Sequence, residues 1–236
     1  MANHALAVAE AALRARKLDR TLTWHSATAL PARPVAGAAA ATDLARLDEA
    51  LGGGLPRGQL SEIVGARSSG RTALLLQVLA AATRRGEIAA LVDTFDRLDV
   101  ASAAAAGIDL DRLLWIRGDA GGADRAVERG LKALSLVLQA GGFGVVAIDL
   151  ADAPASALRG LPFTTWLRVQ RTIEGSDTAC VILASQRLGR SAGGLTLALA
   201  GTPRWRSLLT ALDVAARVVS PRRQVDGHVA MAAHVR

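Results

Sequence analysis

With 236 residues, 51% of them hydrophobic and 21% charged, the chain has the balance of a folded protein with room for one substantial core, which excludes a disordered chain. The formal charge of +7 is carried almost wholly by arginine, Lys17 and Lys132 being the only lysines; it fits nucleic acid, an acidic protein partner, or simply an arginine-rich composition. The single cysteine, Cys180, excludes an internal disulfide framework and points to a reducing compartment, the cytoplasm, and with four scattered histidines it makes no zinc-ligand spacing.

Residues 2–19 place Leu6, Ala9, Leu13 and Leu18 between Glu10, Arg14 and Lys17, which predicts an amphipathic helix within an N-terminal segment 1–20. No signal-peptide leader and no membrane span are expected. Residues 21–41, with Pro31, Pro34 and an alanine run, read as a linker arm, so a core over 42–236 is expected. Strands are predicted at Gln59–Gly65, Glu87–Asp93, Leu113–Gly118, Gly144–Leu150 and Ala179–Ser185, with helices at about Arg71–Arg85, Arg97–Ala106, Asp124–Gln139 and Phe163–Glu174 between them. Near-continuous apolar strands alternating with helices predict an α/β fold: a mostly parallel sheet covered on both faces. After Ser185 the helices stop, and LTLALAG, AARVVS and GHVAMAAHVR predict an antiparallel extension. Cys180 falls in the apolar run ACVILAS, where a buried structural thiol is expected. Trp115 is expected in the core.

The segment Gly65 to Thr72, GARSSGRT, has the spacing of a phosphate-binding loop between a strand and a helix. Its candidate nucleotide contacts are Gly65, Ser68, Ser69, Gly70, Arg71 and Thr72. Arg71 stands where lysine is required. A planar guanidinium is bulkier than an ammonium and prefers a bidentate approach, so the exchange is not conservative. It leaves room for weak ATP/Mg2+ binding and argues against phosphoryl transfer.

LGGGLPRG before a strand, followed by EIVGARSSGRT, resembles the RecA family, and the resemblance runs from about Leu44 to Gln186. It implies a RecA-like P-loop NTPase core, with Asp149 ending the Walker B strand and Gln186 at the polar sensor position. In that family the second strand ends in an Asp-Ala-Glu whose glutamate orients water; here the segment is Asp93-Thr94-Phe95. Phe95 can neither accept a proton nor orient water. Asp93 or Asp96 could replace it only with a shifted backbone. Arg71 and Phe95 together predict a pseudo-ATPase with no catalytic residue.

Within the RecA-like group, the length, leading helix and degraded loop are similar to the ImuA family. That likeness implies a non-catalytic accessory in the SOS response, DNA repair and translesion mutagenesis, partnered by an ImuB-like polymerase homologue, RecA and an error-prone C-family polymerase. Two other readings stay open: an active DNA-dependent ATPase of the recombinase class, and a SulA-like division inhibitor. By the same resemblance the loops Ala151–Phe163, with Arg159, and Arg187–Leu195, with Arg187, Arg190 and a flexible Gly193-Gly194 pair, are candidate DNA contacts; each reads equally as a solvated connection. Leu6, Leu13 and Trp24 are candidate partner-docking residues, although an amphipathic helix also packs on its own core. The basic run Pro221-Arg222-Arg223 and the last strand form a further candidate edge.

Overall fold

The computed structural model of the protein describes residues 39–118, 121–189, 193–205, 209–219 and 227–234. The expected N-terminal helix with Leu6 and Leu13, Trp24 in the arm, Arg190 and the 221–223 run lie outside these residues.

Strand β1 (Ala39–Ala40) pairs antiparallel with β2 (Leu55–Pro56) across helix α1 (Ala45–Leu51). Ala40 is buried, so the last residues of the expected arm belong to the fold. Beyond them β3 (Leu60–Gly65), α2 (Arg71–Arg84), β4 (Ala89–Asp93), α3 (Val100–Ala105), β5 (Leu113–Arg117) and α4 (Ala123–Ala140) alternate. β6 (Val145–Asp149), α5 (Ala155–Arg159), α6 (Phe163–Ile173) and β7 (Ala179–Ala184) complete the alternating part. Three long strands follow: β8 (Gly193–Trp205), β9 (Leu209–Val219) and β10 (Gly227–His234).

One eight-stranded sheet runs in the order β10-β9-β8-β3-β7-β6-β4-β5. Pairings from β5 to β8 are parallel, and the β8–β9 and β9–β10 pairings are antiparallel. Every residue of β4 and β7 is buried, as expected for strands covered on both faces. Two aliphatic clusters cover those faces. One packs α2 and Ala103 of α3 around Ile63, Leu91, Val181 and Leu197. The other packs α4, α5 and α6 around Val64, Val92, Ile148 and Ile182. Helix α4 buries Val127, Leu134, Val137 and Leu138, and α6 buries Trp166, Val169 and Ile173, each at helical spacing. Cys180 lies in the second cluster, where burial pushes its thiol up to about 12. No described helix is long and apolar enough to cross a membrane.

The amino ends of the strands are tied by one guanidinium. Arg57, 7% exposed, donates to Glu87 (2.6 Å) and to the carbonyls of Asp177 (2.7 Å) and Gly144 (3.3 Å).

Three expectations change. Strand β8 does not stop at Gly201; it runs on to Trp205, six residues past Leu199, the partner of Gly65. The stretch expected as an open loop over 151–163 contains α5, started by Pro154. Trp115 is half-buried on the edge strand β5.

Candidate functional site

The loop after β3 turns at Ser68 (φ 59°) and Gly70 (φ 87°) before α2 begins at Arg71. The β8–β9 hairpin lies against it. A Cβ on Gly201 of β8 would overlap the Ser68 carbonyl, and one on Gly70 would come within 2.6 Å of the Val214 side chain of β9. Gly201 is thus a place of close backbone approach, which only glycine permits without moving a strand. Ser68 and Thr72 are exposed, whereas Ser69 is buried with its hydroxyl unpartnered.

Arg71 decides what this loop can do. It is 7% exposed, and its guanidinium turns inward. Nη1 donates to the Gly65 carbonyl and Nη2 to the Ala151 carbonyl at 3.4 Å. The side chain therefore ties the first residue of the loop to the turn after β6. Asp149, at the end of β6, accepts from the Ala151 amide at 2.8 Å. Burial raises its carboxyl from 3.8 to about 6; the amide lowers it, Asp93 raises it, and the Arg71 charge lowers it.

The carboxylates nearest Phe95 are both engaged. Asp93, 1% exposed, accepts from the amides of Arg97 and Leu98 (2.8 Å each) and from Trp115 Nε1 (3.1 Å). Asp96, at φ 53°, accepts a two-pronged bond from Arg117 (2.8 Å each), and that hydrogen bond holds its carboxyl below the usual value. Arg117 in turn stacks over Trp115, 4.7 Å from the ring centre. Phe95 is half-buried and packs on the second aliphatic cluster. Above the loop, Asp152 pairs with Arg67 (3.6 Å) and Arg97 (3.1 Å). Sequence reasoning missed Asp152, Glu62 and the Asp93–Trp115 bond, because each depends on a pairing between strands or loops distant in the chain.

The RecA N-terminal domain family matches residues 17–160, more than half of the chain. The chain belongs to the RecA family. Named relatives include protein RecA of Methylococcus capsulatus, 43% identical over 117 residues (48% of this chain and 32% of the relative). Protein RecA of Nostoc punctiforme is 40% identical over 116 residues (48% and 31%), and that of Salinispora tropica 36% over 148 residues (61% and 41%). The match thus spans about a third of the length of the first of these relatives.

In this RecA-family chain the described start of the second candidate DNA loop is a strap pinned to β3. β7 and β8 lie on opposite sides of β3, with β8 pairing beside it from Leu60, and residues 185–189 follow β7. Glu62 of β3, 4% exposed, accepts from the amides of Leu188 and Gly189 (2.7 Å each) and from Thr196 Oγ1 (3.1 Å). The Gly193-Gly194 pair is not a flexible loop: both residues belong to β8, and a Cβ on Gly194 would overlap the Leu60 carbonyl. Gln186 and Arg187 are exposed at the start of the strap. Arg159 is exposed at the end of α5, outside the phosphate loop's contacts.

Proposed function

We propose that this RecA-family chain is a non-catalytic accessory protein, of the ImuA kind, that supports damage-induced translesion mutagenesis through protein contacts. The observation that carries the reading is the inward turn of Arg71. A P-loop cation has to lie along the terminal phosphates, and this guanidinium is spent on the protein's own carbonyls. Phe95 cannot act as a base, and the two carboxylates beside it are committed to amides, an indole and a guanidinium. The residues present therefore do not fit a hydrolytic Mg2+–ATP complex.

The pinned strap argues in the same direction. A loop held at its root by a buried carboxylate has little freedom to follow a DNA backbone. Direct DNA binding, if the basic charge supports it, is expected to be weak and salt-sensitive. In this reading the partners are an ImuB-like polymerase homologue, RecA and an error-prone C-family polymerase, met in the cytoplasm. The RecA-like surface would dock or bridge without an ATP cycle.

Steady-state ATP hydrolysis with and without single-stranded DNA tests the proposal. Turnover at background level is expected, with nucleotide affinity gained in Arg71→Lys, whose ammonium can follow the phosphates. Brisk turnover that Arg71→Ala abolishes would establish an active recombinase-type ATPase instead.

A further inference from the structure

The helical face formed by α4, α5 and α6 carries an open groove of about 1240 Å³, with α4 as one wall and α5–α6 as the other. Its lining includes Val127, Leu131, Leu161 and Val169, and Leu136, on the α4 side, is 68% exposed. A leucine that open beside an aliphatic groove adds apolar surface that water solvates poorly.

The two walls differ in charge. On α4, Lys132 is paired with Glu128 at 2.9 Å, and Asp124 stands one turn earlier. On α6, Arg168 and Arg171 line the groove three residues apart, both exposed, and neither makes an ion pair among the described residues. One wall therefore offers two unpaired guanidiniums on a single helix face. The other presents a satisfied pair and a carboxylate.

We infer that this groove receives an acidic amphipathic helix of a protein partner. Aliphatic side chains spaced at i, i+3, i+4 and i+7 fill a floor of this kind, and carboxylates along one flank of the same helix meet Arg168 and Arg171. The 18 residues of α4 extend roughly 27 Å, room for several turns of a partner helix alongside. Nucleic acid fits less well: the floor is aliphatic, with no aromatic platform for bases, and Asp124 and Glu128 oppose phosphates from the α4 wall. The inference rests on the accessory reading only for its purpose. The groove and its charges are independent of Arg71 and Phe95.

The test uses the full chain and a fluorescein-labelled peptide of about 18 residues with leucines on one helical face and glutamates on its flank. Two further probes accompany it, the same peptide with lysine for glutamate and a labelled oligothymidylate. Fluorescence anisotropy is expected to show the acidic peptide binding, weakened about tenfold or more by Arg168→Glu with Arg171→Glu and by Leu136→Asp. The lysine peptide should bind poorly to the unmodified chain and gain affinity for the double arginine reversal. All three substituted residues are exposed, so unchanged thermal melting is expected to accompany these losses. The inference is overturned by acidic-peptide binding that ignores the substitutions, or by no such binding. It is overturned as well if oligothymidylate, or self-association seen by sedimentation, is the interaction that the arginine reversals abolish. Failure of the accessory reading registers separately, as ATP turnover with the groove's affinity intact.

Discussion

Replacing Glu62 isolates the strap, residues 185–189, that this side chain pins to β3. The Glu62 carboxylate is buried and accepts from two backbone amides, Leu188 and Gly189, and one hydroxyl, Thr196. Glu62→Ala leaves the half-buried Leu188 N–H and the buried Gly189 N–H without an acceptor, at about 1–3 kcal/mol each. Removing a charge from a dry site offsets part of that cost, so a net loss of about 3 kcal/mol is expected. Glu62→Gln keeps an oxygen for both amides, and the Thr196 hydroxyl can rotate to accept from the new amide group. Only charge assistance is lost, about 1 kcal/mol. Urea unfolding measures both: the alanine variant should shift the midpoint at least twice as far as the glutamine variant, with slopes unchanged. Hydrogen exchange at Leu188 and Gly189 should accelerate in the alanine variant ahead of β3 itself. Equal midpoints for the two variants, or an alanine variant as stable as the parent, would refute the assignment of the strap to this carboxylate.

Asp149 makes stability depend on pH. Its carboxyl is raised from 3.8 to about 6 in the folded state, so the fold favours the protonated form and loses stability as pH rises from about 4 to about 6. Asp149→Asn, still able to accept from the Ala151 amide, should match the parent near pH 4 and exceed it by about 3 kcal/mol above pH 6; a difference that does not vary with pH would count against this. Gly194→Ala should prevent folding or yield insoluble chain, since its Cβ overlaps the Leu60 carbonyl, and a soluble variant with the parent's melting temperature would contradict that close approach. Trp205→Ala, at a side chain 66% exposed, should change unfolding free energy by less than about 0.5 kcal/mol.

The alternation of apolar strands and amphipathic helices was legible in the residues because each interior strand is buried on both faces. The register of the phosphate loop was legible from Gly65 and Gly70. Short elements were not. Helix α1 has no side-chain cap, and α5 is five residues long, so neither leaves a periodic signal. The glycines misled for a common reason. Gly193, Gly194 and Gly201 suggest flexible or turning chain, yet Gly194 and Gly201 let one backbone lie against another, a relation between segments far apart in sequence. Arg71 and Phe95 could be singled out by type. That Arg71 folds into its own loop, and that Asp93 is held by an indole from the neighbouring strand, required the sheet order.

The corner where β4 ends has a bearing on reversibility. Asp93, Asp96, Trp115 and Arg117 knit two adjacent strands into a closed set of donors and acceptors, with Phe95 held in the aliphatic layer behind them. Writing a glutamate back at position 95 would put a charge into that layer while leaving the neighbouring acids occupied. On the non-catalytic reading proposed above, a hydrolase built on this chain would need the corner itself untied, a larger change than the two substitutions that first draw the eye.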